Sequence, residues 1–200
     1  MEQRESNFFA YLARMKYIAR WGLMRNTASE NIAEHSLQVA MLAHGLVTVH
    51  NVRFGGNLSA ERAAVLALYH DAPETITGDL PTPVKYANPS IKEAYRAVEE
   101  KSCERLLSML PEELRDSYCP LFFPQPEDEA LRPFVKAADK LSAYFKCLEE
   151  ACCGNAEFKV AEQTTRAACV KMEMPEVDYF LACFAGGFTK TLDEMNEKEG

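Results

Sequence analysis

Apolar residues recur every three or four positions along almost the whole chain, as they do on the buried face of an α-helix. No segment alternates apolar and polar residues as a half-buried strand would. The pattern therefore predicts an all-α fold of about six or seven helices in a single domain over residues 1–200. The predicted helices cover residues 7–21, 31–50, 59–70, 90–110, 128–153 and 157–171, with a short one from Pro111 and a last one from Pro175.

Several of these helices begin or end at residues that are typical of caps. Asn31 is suited to an N-cap, and Glu34, three residues later, would complete a capping box. Ser59 and Ser90 are predicted to cap two further helices, and Gly154 to end the long helix before it.

Two stretches interrupt the helical pattern. Residues 72–88 contain Pro73, Pro81, Pro83 and Gly78, so we expect this stretch to leave the helix and form a loop. Residues 119–126 are a second Pro-rich break, which is too short to be a linker between domains.

Composition and charge argue against several classes of protein. Of the 200 residues, 48% are hydrophobic and 26% are charged, which is the balance of a globular domain. A net charge of -8 disfavours nonspecific binding to nucleic acid or to an anionic membrane. No apolar run is long enough to span a bilayer and no signal peptide is evident, so a cytoplasmic protein is predicted. The 7 cysteines lack Cys-X-X-Cys spacing and are interpreted as reduced and mostly buried.

The candidate chemistry rests on two histidines and two aspartates. His70 and Asp71 are adjacent near the end of an apolar helix, where unpaired polar groups are costly. Asp139 shares a helix face with apolar neighbours, and His35 begins the apolar stripe that continues through Val39. Taken singly, a buried His is more often a hydrogen-bonded core residue, and a helical Asp usually faces solvent. Together they form an N2O2 set that suits Mn, Fe, Co, Ni or Zn better than Ca or Mg.

This H…HD…D pattern on a helical chain resembles the HD-domain superfamily of metal-dependent phosphohydrolases, which implies an HD-domain helical bundle. Longer segments within residues 20–155 resemble the bacterial 5′-deoxynucleotidases of the YfbR type. The segments are RWGLMRN, ENIAEHSLQVAMLAH, ALYHDAPETITGDLPTPVKY, PEELRD and KAADKLSAYFKCLEE. The resemblance implies a homodimer that hydrolyses deoxyribonucleoside 5′-monophosphates to deoxynucleoside and phosphate, with one divalent transition metal ion such as Co²⁺ or Mn²⁺.

Carried over by motif, the resemblance also implies a role for particular residues. The implied metal ligands are His35, His70, Asp71 and Asp139. The implied catalytic residues are Glu74, Arg20 and Asp71, with Arg20 orienting the phosphate. The implied substrate contacts come from Arg20, Trp21, His35, Asp71, Asp79, Thr82 and Asp139. Among these, Trp21 matches the residue beside the sugar, where a 2′-hydroxyl would crowd it.

The chemistry of the residues agrees with these roles. A phosphate monoester carries about two negative charges at neutral pH. A metal ion neutralises part of that charge and activates water to attack phosphorus, and the planar guanidinium of Arg20 fits phosphate oxygens. Glu74 lies about one helical turn beyond His70 and Asp71. It could accept a proton from the attacking water or donate one to the leaving 5′-oxygen, and both roles stay open.

Other interpretations also stay open. Arg20 could pair with Glu30 or Glu34 at the surface, and Trp21 could be an ordinary core aromatic. A second candidate function is an HD phosphohydrolase for another nucleotide form, such as a triphosphate or a cyclic nucleotide. The few basic residues counted near the site favour a monophosphate, and they are Arg20, Arg25 and Lys85. A third candidate is a non-catalytic, nucleotide-binding HD regulator, although the complete set of ligand residues favours an enzyme.

Overall fold

A computed structural model describes residues 5–85, 87–123 and 125–196, apart from the side chain of Thr82. These residues form no β-strand, only an isolated bridge between Ala19 and Asn31, so the predicted all-α class is confirmed. The α-helices are α1 (Phe8–Leu12), α2 (Ile32–Phe54), α3 (Ala60–Tyr69), α4 (Glu74–Thr77), α5 (Thr82–Lys85), α6 (Pro89–Ser108), α7 (Glu112–Phe122), α8 (Arg132–Cys152), α9 (Lys159–Val170), α10 (Pro175–Phe184) and α11 (Leu192–Asn196). Further 3-10 helices are Ala13–Tyr17, Pro126–Asp128, Ala156–Phe158 and Ala185–Thr189.

The number of long helices agrees with the prediction. Within the described ranges, α2, α3, α6, α7, α8, α9 and α10 each have ten residues or more. The shorter helices are additional, because a single turn carries too few apolar positions to produce a periodic pattern.

The long helix α2 packs against α3 and α8 in the main core. Its predicted apolar stripe is buried, and Val39 and Leu46 are fully enclosed. Small residues face this stripe, among them Ala63 and Ala67 of α3 and Ala138 of α8. Because the distance between packed helices depends on the side chains at the contact, these alanines allow a close approach. The packing brings the first turn of α2, the end of α3 and the middle of α8 to one place.

A second apolar cluster anchors the N-terminal segment. Phe8 of α1 is fully buried with Ile32 at the start of α2 and with Leu106 of α6. Burial of a phenylalanine side chain stabilises the fold by about 1.5–3 kcal/mol. The N-terminal segment is therefore held beside the beginning of α2.

The predicted capping box at the start of α2 is confirmed. The side-chain oxygen of Asn31 accepts hydrogen bonds from the backbone N–H groups of Ala33 at 3.0 Å and Glu34 at 3.1 Å. In return, the Glu34 carboxylate accepts one from the Asn31 backbone at 3.1 Å. The box defines where α2 begins and so fixes the backbone of the next residue, His35.

Two of the other predicted helix ends are confirmed, and one is wrong. Ser59 caps α3, and Gly154 after α8 has a φ of +75°, which favours glycine. The cap of α6 is Asn88 rather than Ser90, because Asn88 accepts a hydrogen bond from the Ile91 backbone at 2.9 Å.

The N-terminal helix ends earlier than the predicted 7–21. α1 ends at Leu12 and the following 3-10 helix at Tyr17. Residues 18–20 pair instead with residues 30–32 through two backbone hydrogen bonds of 2.9 and 3.0 Å. The prediction was wrong because the spacing of apolar residues does not show that backbone groups will form hydrogen bonds with another segment instead of within a helix. The pairing places Arg20 beside the beginning of α2.

Both predicted interruptions contain helix. The predicted loop 72–88 includes the single-turn helices α4 and α5, with Gly78 after α4 at a φ of +72°. Helix α7 continues into the predicted break at 119–126, although Pro120 removes one backbone donor. The Pro120 carbonyl accepts a hydrogen bond from Arg62 of α3 at 3.3 Å, which ties α7 to the main core.

Two further predictions concern membranes and cysteines. None of the helices in the described part of the chain is long and apolar enough to cross a bilayer. All the cysteines are free thiols, as predicted. The interpretation that they are mostly buried is wrong, because Cys152, Cys153 and Cys183 are exposed on the surface.

Candidate metal centre and substrate site

The predicted ligand residues converge where α2, α3 and α8 meet. His35 Nε2 lies 3.5 Å from Asp71 Oδ2 and 3.2 Å from Asp139 Oδ1. His70 Nε2 lies 3.2 Å from Asp71 Oδ2. One ligand atom each from His35, His70 and Asp71 lies within 4.8 Å of the others, which is the separation expected of groups that share a metal ion. Asp139 joins this cluster through His35, and its side chain is 42% exposed.

The second ring nitrogen of each histidine is held by the protein. His35 Nδ1 donates to Ser142 Oγ at 3.1 Å, and the Ser142 hydroxyl donates to the Gln38 side-chain oxygen at 2.5 Å. His70 Nδ1 donates to the Ala67 carbonyl at 2.6 Å. Each ring is therefore oriented with Nε2 toward the shared site, and in the neutral form of the ring this atom carries the lone pair that can bind a metal ion.

Both Nε2 atoms are buried and have no hydrogen-bond partner among the described residues. Burying an acceptor without a partner is costly, and a divalent ion would satisfy both at once. The residues present therefore fit a transition metal ion.

The charge of Asp71 affects the protonation of its neighbour His70. Burial disfavours charge on His70, but the neighbouring Asp71 carboxylate outweighs it and raises the pKa of His70 to about 9. Burial would raise the pKa of Asp71, but His70, His35 and Arg20 lower it well below its ordinary range. A metal ion bound at this site would take the place of the proton on His70, since only a neutral imidazole binds metal.

Arg20 and Trp21 lie beside the ligands on the non-helical segment before α2. Arg20 Nε lies 3.3 Å from Glu30 Oε2, and Arg20 Nη1 lies 3.5 Å from Asp71 Oδ2. The alternative prediction that Arg20 pairs with Glu30 is confirmed. The pair does not lie at the surface, however, because both side chains are largely buried. The Trp21 indole N–H donates to the same Glu30 oxygen at 2.9 Å, and its ring centroid lies 5.3 Å from that of Phe158.

Glu74 is the first residue of α4 and is 7% exposed. Its Oε2 is buried without a hydrogen-bond partner in the part of the chain that the structure describes. Burial raises the pKa of Glu74 to about 9, together with the negative charges of Asp71 and Asp79. Without a metal ion, Glu74 is therefore a neutral carboxylic acid at neutral pH, and it can donate a proton.

The remaining predicted contacts lie on the segment between α4 and α6. Asp79 is partly buried, and burial raises the pKa of its carboxyl group. Thr82 begins α5, but its side chain lies outside the described residues. Lys85 pairs with Glu99 at 2.7 Å and so has a partner other than a phosphate.

The basic residues around the site differ from those counted in the sequence. Arg25 is 91% exposed and pairs with Glu157. A cleft of about 940 Å³ is lined by His70 and Asp139, and also by Lys136, Lys140 and Lys171. Lys136 and Lys140 flank Asp139 in the sequence, but they were not counted as basic residues near the site. Lys171 lies outside the motif segments, so no signal in the sequence pointed to it. The count of basic residues behind the preference for a monophosphate was therefore incomplete.

Sequence reasoning also gave no role at the site to three polar residues that hold the site together. They are Glu30, which contacts Arg20 and Trp21, and the pair of Ser142 and Gln38, which orients His35. The only available signal for Ser142 was its position three residues after Asp139, on nearly the same helix face.

Comparison with known proteins places the chain in a family. The family model described as 5′-deoxynucleotidase YfbR-like matches residues 7–188. A 5′-deoxynucleotidase of Vibrio vulnificus is 51% identical over 193 residues, which cover 96% of this chain and 100% of that protein. The 5′-deoxynucleotidase YfbR of Escherichia coli is 49% identical over 194 residues, which cover 97% of this chain and 98% of that protein.

Solved structures share the fold. An HD-domain phosphohydrolase from Listeria innocua matches with a TM-score of 0.77 at 25% identity, covering 91% of this chain and 88% of that one. An HD phosphohydrolase of cyanophage S-2L, bound to dA and one catalytic Zn²⁺ ion, matches with a TM-score of 0.64 at 23% identity, covering 96% and 100%. With the family model matched from residue 7 to residue 188 and relatives about half identical along their length, the chain belongs to the YfbR-like 5′-deoxynucleotidase family.

Proposed function

We propose that this chain is a metal-dependent 5′-deoxynucleotidase that hydrolyses deoxyribonucleoside 5′-monophosphates to deoxynucleoside and phosphate. The observation that carries the proposal is the convergence of two unpartnered histidine nitrogens on Asp71, with Arg20 beside them. The high identity to proteins named 5′-deoxynucleotidase supports the same conclusion.

The proposed metal ligands are His35, His70, Asp71 and Asp139. When bound there, a divalent ion supplies positive charge to the phosphate and activates water as the nucleophile. The donor set of two imidazoles and two carboxylates suits a transition metal such as Co²⁺, Mn²⁺ or Zn²⁺. The Zn²⁺ in the cyanophage protein supports a metal of this kind.

Arg20 and Glu74 are the proposed groups that act on the phosphate. Arg20 is held on its Nε side by Glu30, so its outer N–H groups can bind phosphate oxygens in a fixed orientation. Glu74 is the proposed group that moves a proton, because its buried carboxyl group lies beside Asp71. It would either accept a proton from the attacking water or donate one to the leaving 5′-oxygen.

Trp21, Asp79 and Thr82 are the proposed contacts to the nucleoside. Trp21 would lie against the sugar, where a ribose 2′-hydroxyl has no room. Asp79 is partly buried near Arg20 and would accept a hydrogen bond from the sugar 3′-hydroxyl. His35, Asp71 and Asp139 would border the substrate as metal ligands. The homodimer, the single domain and the cytoplasmic location stay predictions.

The test is phosphate release from dAMP and AMP by metal-stripped protein, with Co²⁺, Mn²⁺, Mg²⁺ or no metal added. We expect metal-dependent release from dAMP and little from AMP. Adding dATP to the panel tests the second candidate, because the lysines of the 940 Å³ cleft could bind further phosphates. Release from dATP in preference to dAMP would overturn the monophosphate proposal, and release from none of them would favour a regulatory domain.

A further inference from the structure

Glu30 contacts three residues around the candidate metal centre, and the family resemblance assigns it no role. Its Oε2 accepts hydrogen bonds from the Trp21 indole at 2.9 Å and from Arg20 Nε at 3.3 Å. Its Oε1 lies 3.7 Å from His35 Nδ1. The side chain is only 12% exposed, so these contacts take place largely out of water.

The backbone explains why Glu30 is in this position. The backbone N–H of Arg20 donates to the Glu30 carbonyl at 2.9 Å, within the short pairing of residues 18–20 with 30–32. Trp21 follows with a φ of +56°, a left-handed conformation that turns the chain after Arg20. Arg20 and Trp21 thus both stand within reach of a carboxylate that the capped start of α2 holds in place.

The shared oxygen atom is the informative feature. Because a single carboxylate oxygen accepts from both Trp21 and Arg20, the indole ring and the guanidinium cannot move independently while both bonds are intact. The same oxygen forms an ion pair with the Arg20 guanidinium at 3.3 Å, so both hydrogen bonds go to a charged acceptor. Hydrogen bonds to a charged acceptor are stronger than those between neutral groups.

We propose that Glu30 is a positioning residue that sets the preference for deoxyribonucleotides over ribonucleotides. It holds the indole ring of Trp21 at the sugar and the guanidinium of Arg20 at the phosphate in one fixed relation. A 2′-hydroxyl that displaced the ring would then also displace the group that orients the phosphate. This inference rests on the proposed function, in which Trp21 faces the sugar and Arg20 the phosphate.

The test compares Glu30→Gln and Glu30→Ala with the wild-type protein. We expect Glu30→Ala to lower the ratio of kcat/KM for dAMP to kcat/KM for AMP by about tenfold, with Glu30→Gln intermediate. Because Glu30 also lies beside the proposed ligand His35, its loss should lower dAMP turnover itself by roughly 10- to 100-fold. A purely structural role would reduce both activities together and leave their ratio unchanged.

A double-mutant cycle separates coupling from two independent effects. Trp21→Ala combined with Glu30→Ala should lose no more selectivity than Trp21→Ala alone, because Glu30 acts on the sugar through Trp21. Additive losses of selectivity would contradict the proposal. Glu157→Gln is the matched control, since it removes an ion pair with exposed Arg25 on the same segment and should leave the ratio unchanged.

The fluorescence of Trp21 provides a readout that does not require activity. Trp21 is the only tryptophan of the chain, so emission and quenching report on this residue alone. We expect a red shift and stronger acrylamide quenching in Glu30→Ala but not in Glu157→Gln. If wild-type protein hydrolyses dAMP selectively while Glu30→Ala keeps both its selectivity and its quenching, Glu30 has no such role. If wild-type protein does not hydrolyse dAMP, the proposed function fails. In that case, acrylamide quenching of Glu30→Ala equal to that of wild type would also show that Glu30 does not hold Trp21 in place.

Discussion

The metal centre and the segment over residues 18–31 are held in place by different forces. The ligands lie on or directly after helices α2, α3 and α8, whose apolar faces form the main core. Residues 18–31 form no helix and contribute little to the main core; Leu23, for example, is 77% exposed. The segment is held by a short backbone pairing and by polar contacts. Changes in the segment should therefore alter substrate selection more readily than metal binding.

The segment does have one buried anchor. The Glu150 carboxylate, on the last turns of α8, accepts hydrogen bonds from the backbone N–H groups of Thr27 and Ala28. Lys146 pairs with Glu150 and donates to the Ala28 carbonyl at 2.5 Å. Helix α8 thus carries the proposed ligand Asp139 near its middle and the anchor of the segment near its end. One rigid element fixes the distance between the two regions.

Removal of a metal ligand should have the largest effect and should be confined to the metal centre. We expect Asp71→Ala or His35→Ala to abolish metal retention and activity, while circular dichroism shows much of the helix intact. Metal content per protein chain, measured by mass spectrometry, checks the assignment. His44→Ala is the control, because His44 is exposed on the same helix as His35. Full metal occupancy in either ligand variant would show that the assignment is wrong.

Loss of Glu74 should affect turnover without affecting the metal. Removing a general acid or base lowers the rate by about 10²- to 10⁴-fold. Glu74→Ala should therefore retain metal and bind dAMP but release phosphate very slowly. Single-turnover kinetics at saturating dAMP measure the chemical step directly. A rate near that of wild type would exclude Glu74 from the mechanism.

Disruption of the Glu150 anchor should destabilise the fold in a pH-dependent way. Burial would raise the pKa of Glu150, but hydrogen bonds from Lys146 and Thr27 outweigh it and lower it well below the ordinary 4.5. Because the pKa of Glu150 is lower in the folded protein than in the unfolded chain, its carboxylate stabilises the fold fully above about pH 4.5. This stabilisation is lost as the pH falls below that value and the carboxylate is protonated. Glu150→Ala leaves Lys146 buried without its partner, which costs about 3–5 kcal/mol at pH 7.

Urea unfolding of wild type and Glu150→Ala at pH 7 and at lower pH checks this prediction. The difference in the free energy of unfolding should shrink as the pH is lowered. Glu129→Ala is the control, because it removes an exposed pair with Arg132, which is worth about 0–1 kcal/mol. A difference between Glu150→Ala and wild type that does not depend on pH would mean that the carboxylate is not the stabilising group.

Substitution of Trp21 should have the smallest effect on the molecule, because it acts on substrate choice alone. Trp21→Ala removes a ring that contacts Phe158, and we expect about a tenfold loss of discrimination against AMP, a difference of about 1.4 kcal/mol. Metal content should stay that of wild type. Unchanged selectivity, measured by competition between dAMP and AMP, would make Trp21 an ordinary core aromatic.

Much of the metal centre was predictable because its residues stand in unusual places. His70 and Asp71 occur together at the end of an apolar helix, and Asp139 occurs on an apolar face. These placements are costly without a partner, and such a cost is visible in the sequence. The structure brings these residues and His35 together. The family resemblance added Arg20, which the structure places beside Asp71.

Other features depended on partners that lie far away along the chain or across a non-helical turn. The predicted helix 7–21 ends early because residues 18–20 find backbone partners at 30–32. Ser142 orients His35 from 107 residues away, and Glu150 holds Thr27 from 123 residues away. Lys171, the residue after α9, lines the same cleft as His70. No periodic pattern records such contacts.

The sequence was sufficient for the all-α class, for the capping box at Asn31 and for three residues that the structure brings together at the candidate metal site. Helical hydrogen bonds and caps join residues within four positions of each other, so their signals lie in short stretches of sequence. Tertiary structure alone decided that Glu30 meets both Trp21 and Arg20 and that α8 serves both regions. Those contacts depend on how helices pack in space, and packing depends on the whole set of side chains at once.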